Sequence, residues 1–453
     1  SGFSRYSLVP ENRVTDFGTP NEVLRLRIFF DGSENMEYQT LVNAVSLIHR
    51  PDRYTESKFI VSAYTTFEFE HFDILGQYFL SEVDTDPGSE TFQEEIASLG
   101  VGTFLNHARN DLGANIFNVQ YKGKKEIGGS ILQWGAKIQN EIIRDELRQW
   151  RYLDSAGYSI PHSNEDTIIS LDEFVRNDIN LNSIRYTAYL QNSFTLDDSS
   201  NAYLTLGARA NYWEYNREFF ITPRFQLFFE PNLKHNTRQV LRYGDSAQLK
   251  SNIRYKFTGG MYYQPPFYRE FRDRQGQLNP NIRAQRSYHI VAGSDVQVKI
   301  FGNSFIWSTE IYYKHLDRLI PYDIEDVRIR YFAENNAVGY ATGIDLKLSG
   351  EFIRGLPSWA SISLMQTKED IAGDTYMTTN ESGERVQVEN GYLRRPTDQR
   401  LQFGLYFEDF LPNNPDYKLF LNFLYGTNLP YGPPESTRFR NQLKTDAFNR
   451  LDI

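Results

Sequence analysis

Strict two-residue alternation, held over unusually long runs, constrains this chain most. Within residues 304–350, Phe305, Trp307, Thr309, Ile311 and Tyr313 share one side, with Ser308, Glu310, Tyr312 and Lys314 opposite and Ile306 as the apolar exception. Further on, Val338, Tyr340, Thr342, Ile344, Leu346 and Leu348 oppose Gly339, Ala341, Gly343, Asp345, Lys347 and Ser349. A period of two belongs to a β-strand, whose successive side chains point to opposite faces. Each run lasts about 11–13 residues, past the usual five or six and close to the roughly 9–11 that cross a bilayer at a tilt. One face is oily with aromatic ends, as suits lipid. The other carries charges and tiny residues, as suits the wall of a watery or plugged lumen.

The same pattern recurs about sixteen times, with boundaries good to a few residues. Early segments, near 24–30, 38–48, 58–68 and 114–122, are the least regular. Later ones are cleaner: Leu132, Trp134, Ala136 and Ile138 oppose Gln133, Lys137, Gln139 and Glu141, and Ile221, Phe225, Leu227 and Phe229 oppose Thr222, Arg224 and Gln226. Near the end, Leu401, Phe403, Leu405 and Phe407 oppose Gln402, Gly404 and Glu408, and Tyr417, Leu419, Leu421, Phe423 and Tyr425 oppose Lys418, Asn422 and Gly426. Short connections fall near 123–129, 197–201, 301–303, 354–357 and 411–415. Longer polar ones fall near 67–113, 143–182, 264–285, 315–337, 366–398 and 428–447, while a long 231–251 and a short 214–218 break the rule. Residues 144–153 are expected as a short helix inside one long loop. Short turns at one rim and long loops at the other mark a bacterial barrel with its long loops outside the cell. The expected fold is therefore all-β, an antiparallel transmembrane β-barrel. In hydrocarbon an unpaired strand edge leaves N–H and C=O groups without partners, so such a sheet must close.

Composition agrees. Of 453 residues, 15% are aromatic and 23% are charged, a joint enrichment suited to interfacial girdles with charge in loops and lumen. Mean hydropathy is polar, and no apolar run approaches the roughly 18 residues of a membrane-spanning helix. A net charge of −10 disfavours nucleic-acid binding. Without cysteine there is no disulfide, no thiolate metal site and no cysteine nucleophile. The first residue is Ser1, no signal peptide precedes it, and residues 449–453 look like the opening of a further strand, so an internal piece of a longer chain is expected.

Seven histidines are scattered without an HExxH pair, and neither a GxSxG elbow nor a P-loop is present, so no catalytic residue, metal site or cofactor is assigned. Two clusters sit in inferred external loops. Tyr262, Tyr263, Phe267, Tyr268, Arg269 and Arg272 flank a Pro-Pro pair and offer flat faces and positive charge to a ligand, or else pack on one another. Tyr322 and Asp323, with Glu325 and Asp326, could take a cation or a basic ligand group, or simply be solvated. The lipid-facing set is Phe305, Trp307, Ile311, Tyr313, Tyr340, Ile344, Leu346, Leu348, Phe403, Leu405, Leu419, Leu421 and Phe423.

Four stretches carry a family likeness: YYQPPFYREF (262–271), GQLNPNIRAQRSYHIVAG (276–293), AENNAVGYATGIDL (333–346) and FEDFLPNNPDYKL (407–419). Together they resemble the barrel of a TonB-dependent outer-membrane receptor. The resemblance implies a barrel of about 22 strands, an N-terminal plug and a TonB box engaging TonB, ExbB and ExbD. Residues 1–453 would then be a partial barrel without its plug and last strands. The implied task is active import: a scarce small nutrient is bound at extracellular loops and carried in with TonB energy, without covalent chemistry. Outer-membrane lipid is the surrounding partner, and a surface lipoprotein is a further partner the resemblance allows. Siderophore, cobalamin, peptide and glycan remain open as cargo. Two rivals stand beside this reading: a passive porin-like channel, and a soluble β-rich binding protein whose oily faces meet one another.

Overall fold

A computed structural model describes residues 2–19, 22–154, 169–197, 201–244, 248–325, 328–353, 355–380, 383–411, 414–432, 437–438 and 440–453. Strands β1 (Gly2–Leu8) and β2 (Arg13–Thr19) both pair with β3 (Glu22–Asp52). From there an antiparallel meander runs through β4 (Thr55–Val83), β5 (Glu95–Ile127), β6 (Ser130–Asp154), β7 (Ile169–Asp197), β8 (Ala202–Trp213) and β9 (Glu218–Phe229). Helix α1 (Leu233–Tyr243) leads to β10 (Ile253–Gln264), β11 (Gln285–Ile300) and β12 (Asn303–Leu319). A small hairpin, β13 (Tyr322–Glu325) with β14 (Arg328–Tyr331), precedes β15 (Ala337–Ile353) and β16 (Leu356–Ile371). Another, β17 (Thr375–Thr379) with β18 (Arg385–Glu389), and the short β19 (Leu393–Arg394) precede β20 (Leu401–Leu411) and β21 (Asn414–Gly426). A last hairpin, β22 (Pro430–Tyr431) with β23 (Leu443–Lys444), precedes β24 (Phe448–Asp452), which pairs with β21.

Among the described residues the large sheet holds 18 strands, but β1 and β2 share one flank of β3, and β19 and β20 share one flank of β16, so the wall has sixteen staves, in line with the repeat count. Among the described residues no ladder joins β24 back to β1–β3. The sheet is nonetheless strongly rolled. Arg269, between β10 and β11, bonds Glu68 on β4, 201 residues away, and Arg272 bonds Asp145 on β6, 127 residues away.

Register carries each face from strand to strand. One row passes from Val296 through Trp307, Leu348, Ala360, Leu405 and Phe423 to Leu451, all on the outer face. Three residues further along the same strands, Glu310, Asp345, Ser363 and Gln402 form a row on the inner face. Inside, charges meet partners: Lys256 lies 2.9 Å from Asp295, and Ser308 donates to the same carboxylate at 2.8 Å. Of the expected lipid-facing residues, Ile311, Tyr313, Trp307, Leu419 and Ile344 are well exposed. Tyr340, Leu346, Leu348, Phe403, Leu405, Leu421 and Phe423 are half-buried. Phe305 departs from expectation. Its register is that of the outer face, but its ring lies over Gly350, packs on Phe352 at 4.7 Å between centroids, and is 1% exposed.

Several sequence boundaries need correction. The stretches near 24–30 and 38–48 belong to one strand, β3, of 31 residues. Most of 67–113 is not loop: β4 continues to Val83 and β5 begins at Glu95. Likewise β6 runs through residues 144–153, so the expected helix there is strand, and 315–319 and 366–371 extend β12 and β16. The reason is a reversal of sidedness. Low on β4, Phe67 faces out and Glu68 in; higher up, Phe72 and Ile74 are buried inward while His71 and Asp73 face out. Neighbouring strands reverse at the same level, with Ile143, Leu147, Val175 and Ile179 buried within and Arg144, Glu146, Arg148, Arg176 and Asp178 outside. Phe69, Asp111, Glu146 and Asp178 are aligned across four strands, so the change forms a line around the wall. At about 3.3 Å per residue, strands of 25–33 residues reach well beyond the roughly 30 Å of hydrocarbon.

At Gly350 an added Cβ would stand 2.5 Å from Phe305 Cδ1 and 2.9 Å from the Ser304 carbonyl oxygen. Gly350→Val should therefore expel the Phe305 ring and destabilise by about 1–3 kcal/mol. Gly302→Asn, at a left-handed turn position (φ +83°) with no atom within 4 Å of the new Cβ, should change stability by less than about 0.5 kcal/mol. Urea unfolding of the two variants checks the contrast.

Candidate ligand-binding interior

The connection from β10 to β11 does not stand out from the rim. It folds into the rolled sheet, and its sequence shows why. Pro265 and Pro266 hold the backbone extended and donate nothing, so the turn must come after them. There the 3-10 turn Tyr268–Phe271 begins, with Glu270 Oε2 accepting the Phe267 N–H at 2.7 Å and Oε1 accepting the Gln285 amide at 2.9 Å. Burial pushes the Glu270 carboxyl above its ordinary range, against the pull of those two bonds. Gly276 makes a tight left-handed turn (φ +77°), pressed against Leu147 and Val175, and its carbonyl accepts from Asn177 Nδ2 at 2.7 Å. Backbone carbonyls of Ile282 and Ala333 accept from Asn216 and Asn279 at 2.6 and 2.8 Å.

An apolar base fastens this loop to the wall. Phe271 and Ile282 of the loop bury themselves among Ala114, Ile143, Leu181 and Trp213 of β5–β8. Trp213 meets Phe271 edge-on at 5.5 Å and donates its indole N–H to Ser183 at 2.6 Å. Burying such side chains contributes roughly 1.5–3 kcal/mol each, so packing rather than the polar contacts holds the loop in.

Above that base the polar contacts set geometry. Asp145, 2% exposed, accepts from the Tyr268 hydroxyl at 2.7 Å and from Arg272 Nη1 at 2.6 Å. Burial, with the Asp145 charge beside it, pushes the Tyr268 hydroxyl well above its usual range, so it stays a donor. Arg269 Nη2 reaches Glu68 at 3.0 Å; Arg185 Nη2 donates to the Pro266 carbonyl at 3.1 Å, with its Nε on Glu141 at 3.1 Å. From the next loop, Tyr322 and Tyr331 pack at 5.6 Å on the β13–β14 hairpin, and Arg330 pairs with Glu173 of β7. Asp323 is shared between Arg274, at 2.6 Å, and Arg440, which also reaches Asp374 at 3.1 Å. Outside the wall, Arg148–Glu146 is half-exposed on both sides and is worth about 0–1 kcal/mol, which marks it as solvated charge rather than a site.

The structure thus gathers Tyr268, Arg269 and Arg272, and links them to Tyr322 and Asp323 through Arg274. Three expected residues stand apart. Tyr262 lies between the Arg224 guanidinium and the His289 ring, 4.3 Å from each, and Tyr263 stacks on Phe220 at 4.4 Å. Phe267 is 65% exposed. Asp326 and the Glu325 side chain lie outside the described residues. The sequence reading missed the strand acids Glu68, Glu70, Asp145 and Glu173, and the cations Arg185, Arg274, Arg330 and Arg440. Inward acids on a continuing two-residue period were the signal that could have found the first four. Among the described residues no group of three His, Asp or Glu is placed to hold a metal ion, and no helix is long and apolar enough to cross a membrane.

No family model and no curated protein matches the chain. Solved structures of similar shape include the siderophore receptor PiuA from Acinetobacter baumannii, at 11% identity and TM-score 0.49, covering 99% of this chain and 72% of that one. Others are the FpvAI–pyocin S2 complex, at 10% identity and TM-score 0.47 with coverage of 99% and 65%, and the ferripyoverdine receptor of the outer membrane of Pseudomonas aeruginosa, at 10% and 0.47 with coverage of 99% and 63%. The chain therefore spans less than two thirds of the length of the latter two.

Removing Arg272 takes the cation away from the buried Asp145 charge and leaves it the Tyr268 hydroxyl, so Arg272→Met should cost about 3–5 kcal/mol. Combining it with Asp145→Leu should recover most of that loss. Protease susceptibility of residues 264–285 together with urea unfolding checks both outcomes.

Proposed function

We propose that this chain is the barrel wall of an outer-membrane active-transport receptor of the TonB-dependent kind. One observation carries the reading: sixteen meandering staves keep an oily outer face and a polar inner face in register, while two long connections fold into the interior. A single-layer wall with such faces suits lipid outside and a wet lumen inside, as a transmembrane barrel requires. The level at which sidedness reverses is where the outer surface would leave hydrocarbon for water. The four stretches quoted for the family likeness support the TonB-dependent class. Under this reading a small nutrient is taken at the inward-folded loops by Tyr268, Arg269 and Arg272, with Tyr322 and Asp323 supporting from the neighbouring hairpin. The work is selective binding and gated passage, with no bond made or broken. Energy would come from TonB, ExbB and ExbD acting through an N-terminal region, and a surface lipoprotein would be a further partner.

The lipid-facing assignment is tested by two arginines one residue apart. Ile344→Arg should cost about 2–4 kcal/mol if Ile344 lies near the bilayer midplane, and Asp345→Arg far less. Folding into phospholipid vesicles, followed by urea titration, measures both. Equal losses would remove the distinction between the faces, and with it the membrane reading.

A further inference from the structure

On the rim of short turns, residues 53–54, 128–129 and 301–302 are enough to reverse the chain, but between β9 and β10 the same rim carries helix α1. Its first turn is tied to the sheet. Asn236 is buried, accepts the Lys250 N–H, and donates to the Lys250 carbonyl and to Asn252 Oδ1, all at 2.9 Å. Its last two turns stand clear: Leu241 is 82% exposed, and Val240 and Tyr243 are half exposed. Leu233, Thr237, Val240 and Leu241 recur at the three- and four-residue spacing of one helical stripe. Lys234, Arg238 and Arg242 form a second stripe beside it, and the helix contains no acid.

Alone, this segment is a poor helix. Its 11 residues fall short of the roughly 12–15 that hold a helix in water. Like charges four residues apart repel, Lys234 opposes the positive end of the helix dipole, and the Asn232 side chain makes no capping bond. A surface that is anionic on top and apolar beneath would offset the repulsion and take up the exposed Leu241. The wall itself leads to such a surface: its oily outer face ends beside α1 in Phe229 and Tyr255, paired across β9 and β10 and both exposed.

We infer that α1 docks on the phospholipid surface around the short-turn rim, with Val240, Leu241 and Tyr243 among the acyl chains and Lys234, Arg238 and Arg242 on anionic headgroups. The inference rests on the membrane reading of the wall and adds to it a lipid contact made by a connection, with a preference for anionic phospholipid. A second copy of the chain fits this face less well, because its own α1 would bring like charges together. An acidic protein segment would meet the basic stripe but not continue the oily surface at Phe229 and Tyr255.

The chain has no cysteine, so Leu241→Cys gives a single attachment point for a fluorophore, at a side chain with little packing to lose. The labelled full chain is folded into vesicles that carry a nitroxide quencher on their acyl chains. With about 30% phosphatidylglycerol in phosphatidylcholine the label should be quenched, and at least about twofold less in phosphatidylcholine alone or when Lys234→Gln, Arg238→Gln and Arg242→Gln are combined. The same label carried by Ile344→Cys scores the membrane reading of the wall separately. Quenching at Ile344 with none at Leu241 overturns the docking of α1 alone. Quenching at Leu241 that follows phosphatidylglycerol, with none at Ile344, upholds the docking and overturns the wall reading. Silence at both positions overturns both. Quenching at Leu241 that ignores phosphatidylglycerol and the three substitutions overturns the headgroup contact. A Leu241 label shielded from aqueous iodide yet untouched by the lipid quencher puts protein on this face and overturns the inference.

Discussion

The backbone ladder is the constraint on which the rest depends. Each stave satisfies its N–H and C=O groups from its neighbours, so no strand stands without the next. Because side chains alternate along an extended chain, one register choice fixes the face of every residue in a row. A slip of one residue would put Glu310, Asp345 and Gln402 outside and Trp307, Leu348 and Leu405 inside. The seven-strand row from Val296 to Leu451 shows that register is kept across the whole second half of the wall. The ladder also explains how loops far apart in sequence meet: curling the sheet brings β4, β6 and β7 under the loop that leaves β10.

Inside the curl, two kinds of energy divide the work. Apolar burial around Phe271, Ile282 and Trp213 holds the β10–β11 loop against the wall. Charge pairs then decide its orientation, because a buried carboxylate such as Asp145 tolerates few arrangements that leave it bonded. The result is an interior in which arginines come mainly from loops and acids mainly from strands, with the β13–β14 hairpin cross-linked into the same network by Arg274, Asp323 and Arg440. On the outside of the upper wall, Arg148–Glu146 and Arg109–Asp73 are half-exposed pairs that cost little to rearrange.

Much of this was legible in the sequence, and the parts that were not have physical reasons. Alternation identified the strands wherever one face was oily and the other polar throughout, as in β12, β15, β20 and β21. It failed at 67–113 and 144–153, where the strands continue but their polarity reverses. Outward His71, Asp73, Arg109 and Arg144 look like loop residues unless the inward Phe72, Ile74, Ala108 and Ile143 are read with them. Phe305 has the expected register but not the expected exposure, because the cover its ring finds over Gly350 and against Phe352 depends on the neighbouring strand. In the interior, Tyr268, Arg269 and Arg272 were found because a Pro-Pro bend followed by aromatic and basic residues is a local signal. Their partners Glu68 and Asp145 were not, since they come together only through the curl of the sheet.

The most direct measurement is quenching of tryptophan fluorescence by brominated phospholipids in vesicles. Two single-tryptophan variants would be compared, one retaining Trp307 on the outer face and the other Trp359, which pairs with Ser349 and Tyr406 on the inner face. The account predicts strong quenching of Trp307 and little of Trp359. Equal quenching of both, or protection of Trp307 with quenching of Trp359, would contradict a wall one residue thick with lipid on its oily side.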